Sequence, residues 1–383
     1  MKQVNLLTDS PRRLFFHYLG PTIGSSMVTS IYILADTIMV GQGVGDAGLA
    51  ALTIFMPIVA SFFALGLLLG VGGGVLMSVA KGSGNESLAH KYFSTAMISA
   101  AVVSVCFAVF GAIFFDQMMY ALGADTTNIE LVRGYGLCYT VSAPLFIFSS
   151  SLQSFIRNDK SPRHAMIAVL TGSGLNILLD YLFIFVFKMG MFGASFATSI
   201  GTSITVCILV IHFFTKKNTM RFSFRFFSIK ALWEIAKCGF SSFLIECANA
   251  VLVFVFNHTL LKYIGSVGVT VYSIMSNVAV VCMSLFNGVT LAAQPIIATN
   301  HGADNHKRVL QVRHIGTITS SVIAVIIFCI GFFFPDLLIY SYVKGPTPEI
   351  LELARYALRI YFFAYLFMNF NIFFSGYFQS TLR

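Results

Sequence analysis

Charge is what this sequence has least of: Asp, Glu, Lys and Arg make up 10% of its 383 residues, and 57% are hydrophobic. A soluble domain carries about 25% charged residues. A chain this apolar, with a mean hydropathy of +0.83, does not have the polar groups to cover its own surface, so a soluble fold is excluded and most of the surface faces lipid. Alternation of apolar and polar residues is lacking as well, which excludes a transmembrane β-barrel. The seven cysteines include no C-x-x-C pair and are odd in number; lying mostly inside apolar runs, they read as small core hydrophobes. The eight histidines include no H-E-x-x-H, and no Ser-His-Asp arrangement is evident. The chain is therefore not expected to be an enzyme or to carry a cofactor. The net charge of +9 does not mark a nucleic-acid partner, because the basic residues fall in short gaps between apolar runs rather than on one stripe.

What is present is a series of runs long enough to cross a bilayer, which takes about 20 apolar residues as a helix. Ten are counted, near 14–40, 49–80, 92–115, 135–156, 164–187, 192–214, 240–261, 269–299, 315–334 and 356–378. With the N-terminus inside, eighteen of the 24 Lys and Arg fall on the cytoplasmic side, as the positive-inside rule requires. The first run follows Pro11-Arg12-Arg13 without a cleavage pattern, so it reads as a retained span of an all-α polytopic membrane protein, located in the cell inner (plasma) membrane. Gly70 and Gly72-Gly73-Gly74 sit late in the second run, where close helix packing or a local bend explains them better than a nucleotide loop does. Pro21, Pro57, Pro144 and Pro295 interrupt spans, either as hinges or as ordinary irregularities.

The sequence repeats itself. At an offset of 220, Gly45, Gly48, Ile54, Leu65, Gly82 and Asn85 meet Gly265, Gly268, Ile274, Leu285, Gly302 and Asn305. At an offset of 226, Phe148, Ser149, Gln153, Ser154 and Arg157 meet Phe374, Ser375, Gln379, Ser380 and Arg383. A first copy with six spans gives the second the same orientation, an arrangement typical of transporters. The division is 1–215 for a first lobe, 216–238 for a basic cytoplasmic linker, and 239–383 for a second lobe of four spans. By analogy with the first copy, two further helices of about 60 residues are expected to complete the second.

Ionisable groups at membrane depth are expensive and so are functional candidates. From the 1.5 Å rise per residue, Asp36 lies about 6 Å, Asp180 about 10 Å and Thr198 about 9 Å from the outer ends of their spans. Asn176 lies one turn from Asp180 on the same face. Two carboxylates, an amide and a hydroxyl make a hard-oxygen set suited to Na⁺, or to a proton shared by paired charges. The alternative is four unrelated helix-end groups bonded to water or backbone. Glu246, deeper towards the cytoplasm, is either a substrate or proton site or an interhelical hydrogen bond. Forty Phe and 15 Met would suit a cavity that adapts to varied apolar ligands, although most must pack helices or face lipid.

Asp36-Thr37-Ile38-Met39-Val40-Gly41, the 157–162 loop, Asn176-x-x-x-Asp180, Gly193-Ala194 with Thr198, and Gln294-Pro295 before Asn300-x-Gly302-Ala303 together resemble the multidrug and toxic compound extrusion (MATE) transporters over essentially the whole chain. The resemblance implies a two-lobe bundle of 6 + 6 helices, of which 6 + 4 are present. It also implies alternating access and export of small organic, often cationic drugs against Na⁺ or H⁺, a function tied to antibiotic resistance. A monomer in lipid is expected. Asp36, Asn176, Asp180 and Thr198 match the family's first-lobe cation site, and Glu246 matches an acidic position of the second lobe. The sequence departs from some members in span ten, where Asn369 and Asn371 stand in place of a second acidic residue. A lipid-linked oligosaccharide flippase of the same superfamily is the alternative; it would need cations in the cavity for its phosphates.

Overall fold

The computed structural model describes residues 4–342 and 347–382. Lys2, Lys344 and Arg383, used above in the charge count and the repeat, lie outside them. Among the described residues the chain is helical throughout: α1 (Pro11–Gly43), α2 (Asp46–Gly82), α3 (Glu86–Ile113), α4 (Phe115–Ala121), α5 (Ile129–Val141), α6 (Ala143–Asn158), α7 (Pro162–Asp180), α8 (Gly190–Ile211), α9 (Ile229–Tyr263), α10 (Ser266–Gly302), α11 (His306–Phe333), α12 (Pro335–Tyr342) and α13 (Pro348–Ser380). Among the described residues eight helices are long and apolar enough to span a membrane, and α5 with α6 makes a ninth if the pair, bent by 52°, is taken as one span. The 35-residue α9 occupies the place of the seventh run.

The fourth run is therefore not one straight span. It breaks at Ser142, just before Pro144 in the first turn of α6, because proline lacks the N–H that would continue the ladder. Pro21, Pro57 and Pro295 instead lie inside continuous helices. The cysteines also need correcting: Cys282 is buried, but Cys106 and Cys207 are exposed. In lipid an outward-facing thiol is as well placed as a buried one, so apolar surroundings did not imply a core position.

The repeat is visible in the backbone. α2 and α10 are both 37 residues long and α3 and α11 both 28. Gly45 and Gly265, 220 positions apart, precede α2 and α10 with φ of +88° and +73°, a conformation glycine adopts without a steric penalty. Asn85 and Asn305 cap α3 and α11, accepting from the N–H groups of Leu88 and Arg308, the standard side-chain solution for orphan helix-start donors.

The two halves meet along α2 with α9, α1 with α10, and α2 with α10. Glycines permit this closeness. A Cβ on Gly72 would lie 2.3 Å from the Ile235 carbonyl oxygen, and one on Gly239 2.0 Å from that of Leu68. On the other side of the seam Ile23 abuts Gly288, and Thr22 Oγ1 donates to the Gly288 carbonyl at 2.7 Å. Gly70, Gly73 and Gly74 serve helix packing within the first half, against Ser151, Phe155 and Asn158.

Two segments cross the seam at the end bearing most of the basic residues. The N-terminal stretch is held by the second half: Asn300 Nδ2 donates to Leu6 O at 3.0 Å, and Arg308 Nη2 to Leu6 O at 3.2 Å and Asp9 O at 2.5 Å. The stretch between α8 and α9 is held by the first half through Asp159. This fully buried carboxylate accepts from Lys81 Nζ at 2.5 Å, His212 Nε2 at 2.9 Å, the Thr219 N–H at 3.0 Å and the Thr219 hydroxyl. Burial alone would raise the Asp159 pKa, but the His212 hydrogen bond and the Lys81 charge win and hold it at about 2.

Removing one partner of a buried ion pair costs about 3–5 kcal/mol because the other charge is stranded. Asp159→Ala should therefore release the connecting segment, with a lower melting temperature in detergent and faster tryptic cleavage after the exposed Lys216 and Lys217. The folded pKa lies below the ordinary 3.8, so this contribution is complete above about pH 4 and is lost as the pH falls towards about 2.

Candidate functional site

Local packing of α1, α7 and α8 builds the site. α7 and α8 approach through facing glycines: a Cβ on Gly172 would lie 1.8 Å from Thr205 Oγ1 and 2.6 Å from the Gly201 carbonyl oxygen, and one on Gly201 2.8 Å from Asn176 Cβ. That closeness puts Asn176 against Thr198, and Asn176 Nδ2 donates to Thr198 Oγ1 at 3.2 Å. Thr198 in turn donates to the Ala194 carbonyl at 3.0 Å, the i−4 bond expected of a helical threonine. One turn beyond Asn176, α7 ends at Asp180 and passes into a π-helical turn, Tyr181–Val186, a form often found at functional sites. Gly43, at the end of α1, accommodates that turn, since a Cβ there would lie 2.1 Å from Ile184 Cγ2.

α1 packs on α7 and brings Asp36 to Asp180, the two carboxyl groups within side-chain hydrogen-bonding reach of each other. Both are buried, Asp36 at 8% exposure and Asp180 at 0%. With both carboxylates ionised, Asp36 Oδ1, Asn176 Oδ1 and both Asp180 carboxylate oxygens accept no hydrogen bond, and a proton on either carboxyl would bridge the two. Buried polar atoms are nearly always bonded, so four orphaned oxygens in one place mark a position made for a positively charged guest. The oxygens are hard donors, which fits an alkali cation or a proton. Among the described residues no group of three or more His, Cys, Asp or Glu side chains is placed to hold a metal ion, and soft-ligand sites are not part of this arrangement.

Tyrosines close the surroundings. Tyr32 lies one turn before Asp36 on α1, and the buried Tyr135 and Tyr139 on α5 lie near enough to feel the Asp36 charge. Their rings are stacked, with centroids 5.6 Å apart. Sequence reasoning missed all three, since an aromatic residue inside an apolar span carries no signal of its own.

Among the described residues, the two asparagines of the tenth run do not rebuild this arrangement in the second half. Asn369 is buried but satisfied: its Oδ1 accepts from Ser320 at 3.2 Å and its Nδ2 donates to Leu366 O at 2.7 Å. Asn371 is exposed. Glu246 on α9 is half-buried, and among the described residues no salt bridge reaches it. The structure thus brings Asp36, Asn176, Asp180 and Thr198 together and leaves Glu246 apart.

The MatE family model matches residues 21–182 and 238–383. The multidrug export protein MepA of Staphylococcus haemolyticus is 25% identical over 371 residues, 96% of this chain and 81% of that protein. MepA of Staphylococcus saprophyticus subsp. saprophyticus is 27% identical over 369 residues, 95% of this chain and 80% of that protein. Among solved structures, the outward-facing conformation of a multidrug resistance MATE family transporter of the MOP superfamily is similar at a TM-score of 0.93 and 23% identity, covering 100% of this chain and 85% of that one. The similarity to that structure is one of fold. With the family model spanning both halves and multiple apolar helices crossing the membrane, the chain belongs to the MatE family of MATE transporters.

Proposed function

We propose that this chain is a multidrug exporter of the plasma membrane, its N-terminus in the cytoplasm, that moves small organic, often cationic drugs outward in exchange for Na⁺ or H⁺. The orphaned oxygens of Asp36, Asn176 and Asp180 carry the reading: two neighbouring carboxylates in a lipid-embedded bundle are costly unless a cation visits them. The relatives named as multidrug export proteins support the class of cargo. In this mechanism the cation, arriving from outside, binds the carboxylates and favours one arrangement of the halves over the other by its differential affinity. The halves rock about the seam, and drug binding and cation binding exclude each other in turn. The hydrogen bonds described across the seam include Thr22 to Gly288 and Tyr92 to Glu234, contacts that rocking of the halves would have to break and remake.

The test is transport in proteoliposomes loaded with a fluorescent organic cation, with a Na⁺ or an H⁺ gradient imposed separately. Efflux that follows one gradient and stops when it is collapsed is the expected outcome. No movement under either gradient would overturn the antiport reading and turn attention to flipping of a lipid-linked oligosaccharide.

A further inference from the structure

The segment joining the two halves has a composition unlike the rest of the chain. Residues 216–237 hold Lys216, Lys217, Arg221, Arg225, Lys230 and Lys237 against a single carboxylate, Glu234. Glu234 is already engaged, accepting from the Tyr92 hydroxyl at 2.6 Å. The nearest loop acid, Asp159, is committed to Lys81, His212 and Thr219. All six of these cations are exposed, and among the described residues the first five form no salt bridge. Between them stand exposed aromatics: Phe222, Phe224 at 77% exposure, Phe227 and, on the first turns of α9, Trp233 at 63%. Lys237 Nζ lies over the Trp233 ring at 5.1 Å.

The segment is a fixed strap and not a loose tether. Ser223 N–H donates to Ser94 Oγ at 3.1 Å and Ser228 N–H to Thr95 Oγ1 at 3.3 Å, while Thr95 Oγ1 donates to the Phe226 carbonyl at 3.3 Å. These bonds also set its level. On α3 the charged residues Glu86 and Lys91 precede residue 92, and none follows up to Ile113, so Ser94 and Thr95 sit where the apolar span begins. A strap bonded there lies at the polar edge of the bilayer. Exposed aromatic rings are stable at that level, and each Lys or Arg near an anionic lipid surface adds about 1 kcal/mol of attraction.

We propose that this strap is a docking surface for the headgroups of anionic phospholipids, with its phenylalanines inserted among the lipid chains and its cations paired to the lipid phosphates. Charge complementarity selects the occupant: five unpaired cations at the bilayer edge call for negative charge, and the interleaved rings call for a partner that also offers hydrocarbon. Because the strap bonds to the first half and leads directly into the second, lipid held there joins both halves on the side where they meet.

The molecule supplies its own probe, since Trp233 is the single tryptophan of the chain. The full chain in nanodiscs is tested with phosphatidylglycerol or phosphatidylcholine brominated on the acyl chains, each as the same minor fraction in an otherwise identical lipid mixture. Brominated phosphatidylglycerol is expected to quench Trp233 with an apparent association at least about threefold stronger than brominated phosphatidylcholine. Raising the salt should erase the preference, because exposed charges are screened within about 3 Å at 1 M. Both nanodisc leaflets carry the same lipids, so the result does not depend on the orientation of the chain. The variant Lys216→Gln/Lys217→Gln/Arg221→Gln/Arg225→Gln/Lys230→Gln should bring the ratio to about one; the single variant Arg225→Gln and the salt series on the wild type serve if the quintuple variant does not fold. Equal quenching by the two lipids in low salt, or a preference that survives high salt, would overturn the proposal.

Discussion

Asp180→Asn and Asp36→Asn are each expected to reduce gradient-driven drug efflux to the level of protein-free liposomes while leaving the protein inserted and at least as stable as the wild type. The asparagine is nearly isosteric, so the contacts of α7 with α1 and α8 survive. What disappears is one of the two carboxylates that, ionised, present three unbonded oxygens to the site. An ionised Asp in a membrane helix carries an insertion cost that reaches about 2.5–3.5 kcal/mol at the centre and is smaller towards the ends, and replacing it by a neutral amide removes that cost. Loss of transport together with an unchanged or higher melting temperature therefore separates a cation-binding role from a structural one, which would lower both. A second readout follows from linkage. If the coupling ion is Na⁺, then at a hundredfold excess over its dissociation constant it should stabilise the wild type by about 2.7 kcal/mol and leave the Asp180→Asn melting temperature unmoved. Efflux retained in both single variants would sink the assignment of the site.

This site was legible before the structure because its four members leave local marks. Asp36 and Asp180 are charges inside apolar runs, Asn176 is one turn from Asp180, and Thr198 shares their depth; the depth estimate needs only the helical rise. The structure adds how they meet, through Gly172 and Gly201 between α7 and α8, a contact with no trace in periodicity. Asp159 escaped notice for the opposite reason. It lies in a loop, where a carboxylate is unremarkable, and its partners Lys81, His212 and Thr219 are 53 to 78 residues away in sequence. Pro144 marks an interruption of the fourth run in the sequence, but four prolines carry the same mark and only this one bends its span, by 52°; the apolar residues on both sides of Ser142 do not set it apart from Pro21, Pro57 and Pro295. The paired glycines at offset 220 were seen as evidence of duplication; why both copies hold a glycine at 82 and 302 became evident only from their contact.

That contact underlies the second large effect. α2 and α10 cross at their ends with two-fold reciprocity: a Cβ on Gly82 would lie 2.0 Å from the Thr299 carbonyl oxygen, and one on Gly302 2.0 Å from that of Val79. Thr299 and Val79 are themselves 220 positions apart, so each glycine sits against the carbonyl that precedes the other by one turn. Non-bonded carbon atoms settle at about 3.5–4.0 Å, and because the opposing atoms are backbone no rotamer change relieves the clash. Gly302→Leu must therefore separate the helices. Overpacking of this kind costs about 1–3 kcal/mol, and the penalty falls only on the arrangement in which the two helices touch. The population should thus move away from the arrangement in which they touch by about 5- to 150-fold. Spin labels on Ser83→Cys and Asp304→Cys, in a background without the seven native cysteines, report the separation directly. The short-distance population is expected to shrink in Gly302→Leu and in Gly82→Leu, and to persist in Gly20→Leu, where an added Cβ meets nothing within 4 Å. An unchanged distance distribution in both seam variants would mean that the crossing yields without opening, and that the rocking of the halves pivots elsewhere.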